Sequence, residues 1–237
     1  MSDLVYRGLT VPHCTAELVA PAPPLVEPLA LSVPGRGGMH LLGTALEPLQ
    51  IRVRLRLDAG IALDAAARAR IRREIAAVLC ADGPGELIPP SADGLSYAPC
   101  ALTAASGWDD LFEAGSMDVA FTCLDPVAYG REVSATAASF DVGGTAPTWP
   151  VIELTASSST RVAVAETSGL DVEIASGLSA GARVRIDVLA ETVTVDGVDA
   201  SARVALKSRF EALPPGRRTM TFTGCSSHTV SWRERWL

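Results

Sequence analysis

Beyond residue 150 the sequence is a succession of short apolar runs separated by turns, with no helical periodicity between them: Val151 to Leu154, Arg161 to Ala165, Val172 to Ala175, Val184 to Val188 and Thr192 to Val195. Strands at that spacing must bury one face against a second sheet, so this half of the chain predicts a β-sandwich. Asp196-Gly197 lies between Thr192–Val195 and Val198, and predicts a type I′ hairpin turn, which needs φ > 0 at both central residues. Pro214-Pro215-Gly216 predicts another turn, ahead of last strands over Arg218 to Thr223 and His228 to Trp232.

The first half reads differently. Ile51, Val53, Leu55 and Leu57 alternate with Arg52, Arg54 and Arg56, the pattern of a half-buried strand with an arginine face. Leu63, Ala67, Ile71, Ile75 and Leu79 then recur every four residues, which predicts a single long amphipathic helix over about 62–80, stopped by Asp82-Gly83-Pro84-Gly85. Residues 95–103 and 117–123 read as further strands. Residues 15–34 hold Pro21, Pro23, Pro24, Pro28 and Pro34, which forbid a helix and predict an extended arm or edge strand followed by a loop over Pro34 to Gly38. A Ser/Ala/Thr-rich stretch, residues 132–139, shifts the composition and sets the expected boundary between domains 1–135 and 136–237. The expected fold class is mostly β: a β-rich α+β N-terminal domain with one long helix, then an all-β C-terminal domain.

A chain of 237 residues with 48% hydrophobic and 20% charged residues can build packed cores in both domains. Its net charge of −7 argues against a nucleic-acid surface, which needs clustered cations. Lys207 is the only lysine and asparagine is absent, a coding bias that makes arginine alone a poor marker of a phosphate site. No apolar run approaches the roughly 20 residues of a membrane span, and no apolar stretch follows the start, so the expectation is a protein made in the cytoplasm without membrane insertion. Cys14, Cys80, Cys100, Cys123 and Cys225 are widely spaced and odd in number, which suits neither a disulfide framework nor zinc. Cys80 and Cys123 fall in phase with apolar neighbours and are expected as buried thiols.

Candidate chemistry is sparse. Cys225 and His228 stand three residues apart beside Ser226 and Ser227, but a Cys/His site needs convergence and an orienting third group, and the pair reads as structural. His13, His40 and His228 are too scattered for a metal. Asp109, Asp110 and Glu113 suit a helix start. Phosphate-loop and dinucleotide motifs do not occur. No catalytic residue, metal or other cofactor is therefore expected, and the chain is expected not to be an enzyme. The Arg52, Arg54 and Arg56 face admits two readings: a solvated sheet face, or a subunit interface meeting carboxylates of a neighbouring copy.

Phe121-Thr122-Cys123-Leu124-Asp125-Pro126-Val127-Ala128-Tyr129-Gly130 resembles the segment that closes the first domain in siphophage distal tail proteins, with Phe121, Asp125, Pro126 and Tyr129 as its characteristic positions. Asp141-Val142-Gly143-Gly144-Thr145 with Trp149 to Leu154 is similar to the family's lead into its second domain. Leu213 to Gly216, Thr219 to Phe222 and the ending Trp232 to Leu237 are similar to its closing strands. The resemblance implies a galectin-like C-terminal β-sandwich and an N-terminal domain that assembles into a homo-hexameric ring at the virion tail tip. That ring would join the tail tube protein to the baseplate hub or tail fibre, contact the tape measure and receptor-binding proteins, and leave a negatively charged channel for DNA. The alternative is a carbohydrate-binding module for a host-surface glycan, with Trp149, Trp232 and Trp236 as candidate stacking rings.

Overall fold

The computed structural model describes residues 3–19, 23–35, 37–61, 64–91, 93–157, 161–174 and 177–237. The chain is mostly β and divides into two compact units, one reaching to Tyr129 and the other spanning Gly130–Trp236. The division precedes the Ser/Ala/Thr-rich stretch, which enters strand β10 (Ala128–Ala135) and the turn beyond it.

The first unit is an antiparallel sheet of seven strands plus a separate ribbon of two. Its strands are β1 (Val5–Tyr6), β2 (Leu9–Thr10), β3 (Cys14–Val19), β6 (Leu49–Leu57), β7 (Gly85–Ile88), β8 (Tyr97–Ala105) and β9 (Ser116–Cys123), ordered β2-β1-β7-β8-β9-β6-β3. The ribbon pairs β4 (Val26–Ser32) with β5 (Met39–Leu46). In β6 the alternation does what it predicts: Ile51, Val53 and Leu55 are buried, while Arg52, Arg54 and Arg56 point away from the core.

Helix α1 (Ala65–Leu79) supplies the other layer, burying Ile71, Ile75, Val78 and Leu79 in the same core as the β6 side chains. Asp64 caps it by accepting a hydrogen bond from the Ala67 N–H at 2.7 Å, one of the donors a helix start leaves unsatisfied. Residues 62–63, where the helix was expected to begin, lie outside the described residues. A short second helix, α2 (Trp108–Glu113), carries Asp109 and Asp110 in its first turn. Cys123 is buried as expected, whereas Cys80 is exposed. Cys80 follows the last helical residue, where the helical stripe no longer decides which way a side chain points.

The second unit is a β-sandwich. One sheet has the order β10-β19-β12-β15-β16-β17, with β12 (Val151–Ala156), β15 (Arg183–Asp187), β16 (Thr192–Val195), β17 (Val198–Asp199) and β19 (Cys225–Trp236). The other has the order β11-β18-β13-β14, with β11 (Ser139–Val142), β13 (Val162–Glu166), β14 (Asp171–Ile174) and β18 (Gly216–Thr223). Ile152, Val184, Ile186 and Val230 of the first sheet share one buried cluster with Phe140, Val164, Val172 and Met220 of the second. The Asp196-Gly197 turn has φ of 50° and 79°, both left-handed, and pairs Val195 with Val198 as the dipeptide predicts. Ala175, the expected end of one strand, lies outside the described residues. Among the described residues, no helix is long and apolar enough to cross a membrane.

Candidate assembly surfaces

Among the described residues, nothing is layered over either face of the β4–β5 ribbon. Every residue of β4 is exposed, and of β5 only Gly43 is partly covered. The register places Val26 beside Leu46, Ala30 beside Leu41 and Ser32 beside Met39 on one face, with Leu29 and Leu31 on the other. Met39 is 70% exposed, Leu41 65% and Leu42 71%. An isolated two-stranded ribbon is marginal in water, and an exposed apolar patch of this extent marks a surface that something covers. The sequence indicated an extended arm here, but not that both of its faces would be apolar and open.

The arginine face of β6 is organised by cross-strand register. Arg54 lies between Glu17 of β3 and Asp118 of β9. Its guanidinium donates to both Asp118 oxygens, from Nε at 2.7 Å and Nη2 at 3.0 Å, a bidentate pair. That guanidinium holds the Asp118 carboxyl below its ordinary range. Arg56 reaches diagonally to Glu17, at 2.7 Å from Nη2. Carboxylates of the same chain therefore occupy two of the three arginines expected to meet a neighbour. Arg52 has Val19 and Ala120 opposite it, neither of them acidic, and makes no side-chain ion pair among the described residues. It borders a shallow depression of about 480 Å³ with Gln50, Thr103, Thr122 and Asp118, and its charge helps keep the Asp118 carboxyl ionised.

The segment at 121–130 is a locked corner. Phe121 is fully buried with its ring 5.1 Å from that of Tyr6. Asp125 accepts from the Val127 N–H at 3.1 Å and from the Tyr129 hydroxyl at 2.5 Å, so one carboxylate fixes both the turn and the ring that follows it. Pro126 is buried, and the Tyr129 backbone exchanges two hydrogen bonds with Ser96. These residues set the path of the chain where the first unit ends.

The lead-in at 143–149 and the chain's last strand meet directly. Thr145 and Ala146 donate their N–H groups to the Arg235 carbonyl at 2.8 and 3.0 Å, and the Thr148 hydroxyl donates to the Arg233 carbonyl at 2.7 Å. Gly144 has φ +99°, and a Cβ there would stand 2.2 Å from the Arg235 carbonyl oxygen, so only glycine fits.

The three tryptophans have different surroundings. Trp232 is 4% exposed and stacks on Phe140, with ring centroids 4.8 Å apart, inside the sandwich core. Its ring is not offered to a ligand. The Arg235 guanidinium lies 4.7 Å over the Trp149 ring and covers one of its faces. Trp236 is partly exposed, with its indole nitrogen beside Gly130. A concavity of about 370 Å³ on the six-stranded sheet is lined by polar side chains including Glu153, Arg183, Arg185 and Thr194, with none of these rings in it. His228 stacks on Phe222, ring centroids 3.8 Å apart, facing into the sandwich.

The comparisons agree with this geometry. Residues 143–236 match the family described as siphovirus-type tail component, C-terminal domain. The whole chain superposes on the crystal structure of the Dit protein of phage SPP1, described as a paradigm of the hub adsorption apparatus in phages infecting Gram-positive hosts. The TM-score is 0.79 at 18% identity, covering 99% of each chain. A chain of the phage P2 baseplate in its activated conformation with Ca matches at TM-score 0.52 and 10% identity, over 98% of this chain and 97% of that one. The same baseplate with Sr gives 0.50 at 9% identity over the same shares. No curated protein sequence matches the chain. Residues 143–236 thus match the siphovirus-type tail component family, C-terminal domain, within a chain that shares the fold of the SPP1 Dit protein over 99% of its length.

Proposed function

We propose that this chain is a non-enzymatic ring subunit of the siphophage tail tip, six copies joining the tail tube to the baseplate hub around an open channel. The β4–β5 ribbon carries this reading. Its apolar side chains cover nothing among the described residues, and a seven-residue strand spans roughly 23 Å, enough to lie on a neighbouring copy. One patch seated on a different patch of the next copy is a head-to-tail contact, and a rotation of about 60° per contact closes six copies into a ring. Arg52, which makes no direct ion pair among the described residues and only senses the nearby Asp118 charge, is the arginine with most freedom to meet that neighbour.

Charge supports the channel. Residues 1–129 hold fifteen Asp and Glu against nine Arg, a balance of −6, whereas residues 130–236 hold twelve acidic against eleven basic residues, a balance of −1. The ring-forming unit thus carries nearly all the negative charge, which lets DNA pass without adhering. The tape measure and hub proteins are the partners this position implies. Immunogold labelling of intact particles with an antibody to this chain tests the assignment. Label confined to the tail tip is the expected result; label along the tube, or on free protein only, overturns it.

A further inference from the structure

Cys100 of β8 and Cys123 of β9 are fully buried and stand directly opposite each other in adjacent antiparallel strands. The Leu124 N–H donates to the Pro99 carbonyl at 2.9 Å, so the ladder bond lies one residue beyond the cysteines and the pair occupies a non-hydrogen-bonded site. Opposed Cα atoms at such sites lie about 4.5 Å apart, with their side chains at the closest approach a sheet allows. That spacing falls within the range disulfides bridge without moving the backbone. The Cys100 thiol donates to the Tyr97 carbonyl at 3.3 Å. Among the described residues no cluster of His, Cys, Asp or Glu suited to a metal surrounds the two cysteines.

We propose that Cys100 and Cys123 are a disulfide-forming pair that, once oxidised, staples β8 to β9 in the first unit. With a small-molecule disulfide such as oxidised glutathione, one cysteine sulfur attacks the reagent, forms a mixed disulfide and releases one reduced thiol. The second cysteine sulfur attacks that mixed bond, closes the Cys100–Cys123 bond and releases the other. Two electrons pass from the cysteines to the reagent, and the two protons end on the released thiols.

The neighbouring Cys123 thiol, burial and the nearby Asp125 carboxylate all push the Cys100 thiol far above its ordinary range. The native pair is therefore slow to react, and oxidation proceeds through local openings of the sheet at β8–β9 or during folding. On the tail-tip reading, such a particle leaves a reducing cell for an oxidising medium, where the staple persists.

The test uses the full chain carrying Cys80→Ser, which removes the exposed thiol, refolded from denaturant in a glutathione redox buffer. Cleavage at Asp residues separates the two cysteines, because Asp109, Asp110 and Asp118 lie between them. The expected product is one cross-linked peptide pair about 2 Da lighter than the reduced pair, accompanied by a melting temperature raised by roughly 5–10 °C that reductant reverses. Recovery of Cys100 and Cys123 as alkylated thiols, as separate glutathione adducts or bridged to other cysteines overturns the proposal. The readout needs no ring, so its failure leaves the ring assignment standing.

Discussion

Truncating Leu41 to alanine tests the ribbon most cleanly, because the side chain is 65% exposed in the single chain and does little for its fold. Taking about 2 kcal/mol for a whole buried leucine side chain, covering that remaining surface under a neighbour contributes roughly 1.3 kcal/mol, of which Leu41→Ala forfeits about 1. In the proposed six-copy ring, six equivalent interfaces would together lose about 6 kcal/mol. Mass action for six copies shares that loss over about five association steps, so the midpoint concentration of assembly rises by a factor corresponding to about 1.2 kcal/mol, roughly eight-fold. Leu41→Asp adds the desolvation of a charge and shifts the midpoint much further. Mass photometry over a dilution series measures the midpoint, and thermal unfolding checks that the subunit keeps its stability to within about 0.5 kcal/mol. Identical midpoints for wild type and Leu41→Asp would refute the reasoning, as would a variant whose own melting collapses.

Gly144→Ala forces a left-handed residue against the Arg235 carbonyl and should cost at least about 2 kcal/mol, read as a lowered melting temperature of the second unit. Burial works against ionisation of Glu166, but its hydrogen bonds from Ser168 and Thr167 and the nearby Arg218 outweigh it and hold the carboxyl below its ordinary value of 4.5. The stability this confers is fully present above pH 4.5 and is lost as pH falls through the lower folded value. Glu166→Gln should therefore cost about 1–3 kcal/mol at neutral pH, and that gap should narrow in acid denaturation curves below pH 4.5. Arg54→Ala removes a half-exposed pair and should change stability by no more than about 1 kcal/mol in chemical unfolding. Arg52→Glu, which puts a like charge near Asp118, should change unfolding by no more than about 1 kcal/mol and raise the assembly midpoint; unchanged assembly would remove Arg52 from the interface.

Much of the fold is legible because local pattern and tertiary demand agree. The β6 alternation, the α1 stripe and the Asp196-Gly197 turn each state a periodicity or a backbone angle that the structure then realises. The partners of the arginines are not legible. Asp118 lies 64 residues from Arg54 and Glu17 39 from Arg56, and only strand register brings them together. The ribbon is half legible: its prolines exclude a helix, but strands open on both faces lack the inward and outward alternation that would say what they bury. His228 and Trp232 look like available chemistry in a list of residue types. Their shared parity with the buried Val230 in β19 points them inward, a signal the sequence did contain.

Native mass spectrometry of the purified chain, diluted from well above to well below the assembly midpoint, bears most directly on the ring. The account predicts a discrete species of about 148 kDa, six copies of the 24.7 kDa chain, that gives way to single chains on dilution. Single chains at every concentration, or a closed pair with no larger species, would contradict it.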